Sequence, residues 1–132
     1  KADVHVYVGG ALLSDGQYLA VGATAATDEQ LEDGYAYYKD GVLTLHNYTY
    51  SGSGYQVSSN TFAAVYAAED VTVKLEGENS ITKTSGGAKN EYAFYMKSNL
   101  ALQEGTSGSK LTVMSSGYGI LVQKNLTIME TE

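Results

Sequence analysis

A segment that occurs three times constrains the fold of this chain more than any other feature. The aligned copies are residues 64–73, 93–102 and 119–128. A polar residue occupies the same place in each copy, as Asp70, Asn99 and Asn125, at intervals of 29 and 26 residues. Because the intervals differ, the additional residues must lie in loops. The pattern predicts a stack of similar structural units.

Each unit is predicted to contain three short strands separated by turns, with one side of every strand in a core. The recurring inward residues are Val65, Ala67, Val71, Val73, Leu75 and Ile81, then Phe94, Met96, Leu100, Leu102, Leu111 and Val113, then Ile120, Val122, Leu126 and Ile128. Stacked units pair parallel strands about 4.8 Å apart and align these side chains inside. We therefore predict a short right-handed single-stranded parallel β-helix, with Phe94 between Val65 and Ile120.

Composition agrees with an all-β fold. The 132 residues include no proline, cysteine or tryptophan but 15 glycines and 12 tyrosines, which favours strands joined by tight turns. A β-sandwich of the jelly-roll type is the alternative for an all-β domain of this size. Sandwich strands need not share inward positions at a nearly constant interval, so the repeat favours the β-helix.

The first 50 residues do not follow the repeat cleanly. Residues 4–8 alternate like a strand, Gly9-Gly10 is typical of a hairpin turn, and Asp40-Gly41 separates two further apolar runs. An uncovered β-helix end exposes unpaired backbone groups, so this region is suited to capping. We predict one domain over residues 1–132, with residues 1–50 forming an N-terminal β-hairpin cap and first strands, and residues 51–132 forming the coils.

The polar positions Asp70, Asn99 and Asn125 precede an apolar strand in every copy. Their short side chains can bind local backbone or the equivalent residue one coil away. A metal-binding role is the alternative, but no second acidic residue stands at ligand spacing. We predict a structural ladder at a corner of the coil.

Charge excludes several classes of partner. The net charge is −7, arginine is absent, and the eight lysines are scattered along the chain. Nucleic acids and anionic membranes require clustered cations, so neither is an expected partner. No apolar stretch approaches the length of a membrane-spanning helix, and we predict no membrane insertion.

Several strings resemble a known group of proteins. These are Val6-Tyr7-Val8-Gly9-Gly10, Asp40-Gly41-Val42-Leu43-Thr44-Leu45-His46-Asn47, the repeated Asn-Leu-Thr-Ile type of strand, and Leu75-Glu76-Gly77-Glu78-Asn79-Ser80-Ile81. They are similar to large surface proteins of anaerobic Gram-positive bacteria that carry pectate-lyase-like β-helix repeats, some of them described as carbohydrate-binding domains. The resemblance covers nearly the whole chain and implies the fold and a bacterial cell-surface or extracellular location.

No catalytic residue, metal or cofactor is predicted. Without arginine, the usual form of β-helix lyase is excluded, and no lysine stands beside clustered carboxylates at coil spacing. The pairs Glu69/Asp70 and Glu76/Glu78 are interpreted as solvated turn acids rather than glycosidase carboxylates. His5 and His46 have no adjacent residues that indicate a triad or a zinc site.

Tyrosine is the remaining functional signal. Tyr66 and Tyr95 occupy equivalent outward positions on neighbouring coils, with Leu121 next in the row. Such rings form a flat amphipathic strip suited to sugar rings, and Lys74 and Lys97 are predicted to add hydrogen bonds or to contact an acidic glycan. The alternative is that tyrosine is here simply a favourable strand residue whose ring covers the next coil.

We therefore predict a non-catalytic module that binds or displays carbohydrate at the cell exterior, with a polysaccharide or host glycan as its partner. The alternatives are a polysaccharide-degrading enzyme of the β-helix type and a purely structural stalk or adhesin fragment. The chain begins without methionine, as expected of a mature form whose signal peptide has been removed. Its last apolar strand ends close to Glu132, so further domains of the same parent protein are also expected.

Overall fold

The first four strands form antiparallel hairpin structure. In a computed structural model that describes residues 5–130, these strands are β1 (His5–Val8), β2 (Ala11–Ser14), β3 (Gln17–Ala20) and β4 (Tyr35–Lys39). β1 pairs with β2 and β3 pairs with β4, in both cases antiparallel. Val4, which was predicted to belong to the first strand, lies outside the described residues.

Ten of the eleven remaining strands follow one another in coils, and one folds back as an antiparallel hairpin on its neighbour. The eleven strands are β5 (Val42–His46), β6 (Thr49–Gly52), β7 (Tyr55–Ser58), β8 (Thr61–Ala67), β9 (Val71–Glu76), β10 (Glu78–Lys83), β11 (Asn90–Met96), β12 (Leu100–Glu104), β13 (Lys110–Ser115), β14 (Tyr118–Val122) and β15 (Leu126–Met129). No helix occurs between residues 5 and 130, and therefore none in that part of the chain could span a membrane.

Equivalent strands of successive coils pair in parallel and build three sheets. Sheet A contains β8, β11 and β14, sheet B contains β5, β9, β12 and β15, and sheet C contains β6, β10 and β13. The chain is thus an all-β solenoid of about three turns, and the predicted β-helix is confirmed. Parallel pairing already begins with β5 at Val42, inside the segment predicted to hold the cap and first strands.

The pairing register follows the sequence repeat. Phe94 pairs with Val65 on one side and with Ile120 on the other, and Leu100 pairs with Val71 and Leu126. Side chains from the inner faces of the sheets form one hydrophobic core. Phe94 is fully buried in it, as the repeat predicted.

The last coil differs from the prediction in its burial. Ile120, Leu126 and Ile128 continue the inward rows but are 39%, 49% and 71% exposed. A coil buries its inner face between two neighbours, and within residues 5–130 nothing stacks on the far side of β14 and β15. These side chains are therefore aligned with the core without being enclosed by it.

The opposite end of the solenoid is covered on two sheets. β1 pairs antiparallel with β8 and thereby extends sheet A to β2, while β4 pairs antiparallel with β5 and extends sheet B to β3. The inward residues of this cap, among them Val8, Leu13 and Leu19, are buried in the common core. The N-terminal region therefore caps the coils, as an exposed apolar end requires.

The predicted polar ladder occupies the corner between sheets A and B. The Oδ1 atom of Asp70 accepts hydrogen bonds from the amide and the Nδ2 atom of Asn99, at 3.2 and 3.1 Å, and from the hydroxyl of Ser98. The Oδ1 atom of Asn99 accepts from the amide of Asn125 at 3.0 Å. The bond from Ser98, followed by that from the Asn99 amide, lowers the pKa of Asp70. The ladder connects three successive coils.

One glycine is required where β7 folds back on β8. Gly54 has a φ of +85°, and a Cβ atom there would lie 2.3 Å from the carbonyl oxygen of Ala63. Gly16 has the same φ but no atom within 4 Å of its Cβ position. Gly54→Ala is therefore expected to lower the free energy of unfolding by about 1–3 kcal/mol more than Gly16→Ala does, measured by urea denaturation. Equal losses would contradict the close approach of the two backbones.

Candidate functional site

The outer face of sheet A carries a continuous group of aromatic rings, which we call the tyrosine strip. Its members are Tyr7, Tyr55, Tyr66, Tyr92, Tyr95 and Tyr118. They are six of the twelve tyrosines of the chain. All six are at least partly exposed, so the strip is a surface and not part of the core.

Tyr66 and Tyr95 lie at its centre. They pair directly across β8 and β11, and their ring centroids are 5.6 Å apart. The neighbouring outward placement predicted from the repeat is therefore present. The Nε2 atom of Gln123, from the following coil, donates a 3.1 Å hydrogen bond to the Tyr95 hydroxyl, so the centre of the strip also contains an amide.

Two rings that the repeat did not predict come from antiparallel strands, one in the cap and one in β7. Tyr7 pairs with Tyr66 across β1 and β8, with centroids 6.3 Å apart, and Tyr55 of β7 stacks on Tyr7 at 3.7 Å with an interplanar angle of 10°. His5 meets the Tyr7 ring edge-on at 5.5 Å. A hydrogen bond with Tyr7, and secondarily burial, raises the pKa of the Tyr55 hydroxyl. These rings extend the strip beyond the coils.

Tyr92 and Tyr118 belong to the strip because the alternation of inward and outward side chains is interrupted. Ala93 and Phe94 are consecutive and both fully buried. Tyr92 and Tyr95 consequently share the outer face although they are three residues apart, and their centroids are 5.1 Å apart. Tyr118 pairs with Tyr92 on the next coil at 5.5 Å. Strict alternation would have placed Tyr92 inside.

Apolar side chains end the central row of the strip on both sides. Leu12 pairs with Tyr7 and is 47% exposed, and Leu121 pairs with Tyr95. The row of Leu12, Tyr7, Tyr66, Tyr95 and Leu121 crosses five strands, which corresponds to about 19 Å at the usual strand spacing. The strip is thus long enough to contact several consecutive units of an extended ligand.

The two predicted lysines lie in different places. Lys97 is exposed directly after β11, at the end of the strand that carries Tyr95. Lys74 instead lies on β9 in sheet B, where its Nζ atom is 3.8 Å from Oε2 of Glu76. The corner between β8 and β9 turns the chain onto the second sheet, so the structure brings Tyr66, Tyr95 and Lys97 to one sheet and places Lys74 on another.

A buried ion pair was missed by the sequence analysis. Lys83 has no exposed side-chain surface, and its Nζ atom donates hydrogen bonds to Oε1 of Glu91 and to the carbonyl of Thr84. Glu91 also accepts from the amides of Gly86 and Ala88, at 2.7 and 2.9 Å. The pair therefore fastens the loop between β10 and β11. The available signal was that Lys83 follows Ile81 by two residues and so occupies an inward position.

Sheet C carries a groove of about 520 Å³ on its outer face. The polar side chains in its lining all carry hydroxyl groups; they are Thr24, Thr49, Tyr50, Ser51, Ser80 and Thr82. The loop at residues 21–24 forms one wall of the groove. The lining of the groove is uncharged, whereas sheet B carries the charged side chains of Lys74 and Glu76.

His46 contacts a carboxylate that lies far from it in the sequence. Its Nδ1 atom lies 2.9 Å from Oε1 of Glu76. The two residues are 30 positions apart in sequence and meet because β5 and β9 pair in parallel. Within residues 5–130, no group of three or more histidine, cysteine or acidic side chains is arranged to hold a metal ion.

Comparison of the chain with models of protein families, with curated proteins and with solved structures finds no match.

Proposed function

We propose that this protein is a non-catalytic module that binds carbohydrate at the exterior of a bacterial cell, as one part of a larger surface protein. The observation that supports the proposal is the tyrosine strip on sheet A. Tyrosine presents an apolar ring and a polar hydroxyl, and a continuous group of such rings on an outer sheet face is a surface that a ligand can cover. The resemblance to surface β-helix proteins points to the same function and location.

The chemistry of the strip suits a sugar chain. The faces of sugar rings carry C–H groups that can lie against tyrosine rings, while the sugar hydroxyls at the ring edges can exchange hydrogen bonds with tyrosine hydroxyls and with the amide of Gln123. Lys97 supplies a cation at one end of the central strand, where an acidic substituent could be accommodated. An extended polysaccharide is favoured over a small sugar because the central row of the strip is about 19 Å long.

The central pair of rings provides the test of this function. Tyr66→Ser/Tyr95→Ser is expected to weaken polysaccharide binding by about tenfold to a hundredfold, since each ring contributes on the order of 1 kcal/mol. The β-sheet circular dichroism should persist because the inward rows are unchanged. A glycan array covering plant, bacterial and host polysaccharides identifies the ligand, and calorimetry then compares the variant with the wild type.

Met114→Ser serves as the matched control. Met114 is 59% exposed on the outer face of sheet C, so its replacement removes a similar apolar surface away from the strip and should leave binding unchanged. Undiminished binding by the double tyrosine variant would contradict the assignment of the strip. Unfolding of that variant would show instead that the rings serve the fold, and absence of binding on the array would reject carbohydrate as the ligand.

A further inference from the structure

A second aromatic cluster lies on the outer face of sheet B. Tyr18 and Tyr37 are paired across β3 and β4 and stack with centroids 4.2 Å apart. Tyr35 meets Tyr18 edge-on at 5.1 Å and stacks on the ring of His46 at 4.8 Å. Four rings therefore form a continuous surface that begins in the cap and ends on the first coil.

Charged side chains continue this surface across the next strand. Glu76 binds His46 through Oε1 at 2.9 Å and lies 3.8 Å from Lys74 through Oε2. Burial raises the pKa of Tyr35, and the nearby Glu76 carboxylate adds to the effect. We call the six residues Tyr18, Tyr35, Tyr37, His46, Glu76 and Lys74 the sheet B platform.

The strand register explains why these residues meet. Tyr35 pairs with His46, and His46 pairs with Glu76, so ring, imidazole and carboxylate form one row across three strands. Tyr37 and Lys74 both pair with Thr44 in the adjacent row. The cap supplies the tyrosines and the first two coils supply the polar groups. Neither part alone contains the complete arrangement.

We propose that the sheet B platform is a second carbohydrate-binding site, which makes a single chain bivalent; this inference rests on the proposed function of the tyrosine strip. The platform combines apolar aromatic rings, against which the C–H groups of a sugar can pack, with a carboxylate that accepts hydrogen bonds from sugar hydroxyls and an ammonium group that donates to them. Because Glu76 and Lys74 have opposite charges, the ligand class is a neutral sugar chain.

The two proposed sites lie on different faces of the protein. Sheets A and B enclose one common core, and their outer faces therefore point in different directions. A polysaccharide chain on the strip and another on the platform would be held by one protein molecule. Linked sites of this kind raise the avidity for a polysaccharide surface far above the affinity of either site, and they allow a monomer to bridge two chains.

Calorimetric titration with cellohexaose, xylohexaose and chitohexaose tests the proposal. We expect two binding sites per chain in the wild type. In each of the variants Tyr18→Ser/Tyr37→Ser and Tyr66→Ser/Tyr95→Ser, one site should keep its affinity and the other should be weakened by about tenfold to a hundredfold or lost. Glu76→Gln, which preserves shape, is expected to weaken only one of the two sites, by about tenfold, through loss of charge-assisted hydrogen bonds. This variant keeps the test valid if the double platform variant fails to fold.

The outcomes separate the two proposals. A single site that is lost in the strip variant but retained in the platform and Glu76→Gln variants would overturn the second site and leave the proposed function intact. A single site that is lost in the platform variant alone would overturn both bivalency and the role of the strip. No binding of any of the three hexasaccharides would reject both proposals for neutral sugar chains.

Discussion

Replacing Phe94 with alanine is expected to lower the free energy of unfolding by about 3–5 kcal/mol. Phe94 is fully buried between Val65 and Ile120, and it lies in the middle of the stacked apolar row of sheet A. Removing its ring takes away buried apolar area and leaves a cavity that the paired backbones on both sides cannot easily close. Urea denaturation followed by circular dichroism measures the loss.

Ile120→Ala is the control for this prediction, because Ile120 occupies the same row but is 39% exposed at the open end. Its removal should cost clearly less than that of Phe94, since solvent already reaches the site. A loss below about 1 kcal/mol for Phe94→Ala would be incompatible with a close-packed core position.

Replacing Lys83 with methionine is expected to destabilise the fold by about 3–5 kcal/mol at neutral pH, because the buried Glu91 carboxylate loses its counter-charge. The pair is enclosed, with no exposed side-chain surface on Lys83 and 8% on Glu91. Methionine keeps most of the length of the side chain, so the loss reports mainly on charge. Chemical denaturation of both proteins at pH 7 provides the measurement.

The same pair predicts a dependence on pH. The hydrogen bond from Lys83 is the main reason why the pKa of Glu91 falls from 4.5 to about 2, and the amides of Gly86 and Ala88 contribute. Because the pKa of Glu91 is lower in the folded state than in the unfolded state, its contribution to stability is complete above pH 4.5. This contribution is lost as the pH falls toward about 2. The difference in free energy of unfolding between the wild type and Lys83→Met should therefore be smaller at pH 3 than at pH 7.

The exposed pair Lys39 and Asp15, with Nζ and Oδ2 3.4 Å apart, supplies a matched control. Lys39→Met should change stability much less, because water screens an exposed ion pair. Similar losses for Lys39→Met and Lys83→Met, or a Lys83→Met deficit that does not change between pH 7 and pH 3, would contradict the structural role assigned to the buried pair.

The coils could be predicted from the sequence because their strands repeat. Phe94, Val65 and Ile120 share one position of the unit, and stacking at constant spacing then determines their neighbours. The cap could not be predicted in the same detail. β1 and β4 join the sheets by antiparallel pairing with β8 and β5. Because these cap strands are not repeated in the sequence, the sequence does not determine the register in which they pair.

The candidate site was predicted only where it follows the repeat. Tyr66 and Tyr95 are equivalent residues of two units, whereas Tyr7 and Tyr55 reach the strip through antiparallel strands. Tyr92 was missed because two consecutive buried residues interrupt the alternation. Lys74 was associated with the wrong neighbours because the position of the corner, and hence the sheet that carries it, depends on the three-dimensional path of the coil.

The two side-chain contacts that the sequence did not predict join residues that are separated in the sequence. His46 and Glu76 meet through coil stacking, 30 residues apart. Lys83 and Glu91 are only eight residues apart, but their contact depends on how the loop between β10 and β11 folds around the carboxylate. Hydrophobic alternation indicates which side of a strand a lysine occupies; it does not identify the acid that neutralises it.

Nuclear magnetic resonance of protein labelled on its tyrosine rings tests the central claim, carbohydrate binding by the tyrosine strip, most directly. Addition of a hexasaccharide of the polysaccharide identified on the array is expected to shift the ring signals of Tyr7, Tyr66 and Tyr95, while those of the buried Tyr38 and Tyr48 remain in place. Saturable shifts of the strip signals would support the account, whether or not the signals of the sheet B platform also shift. Unchanged strip signals at saturating ligand would contradict it.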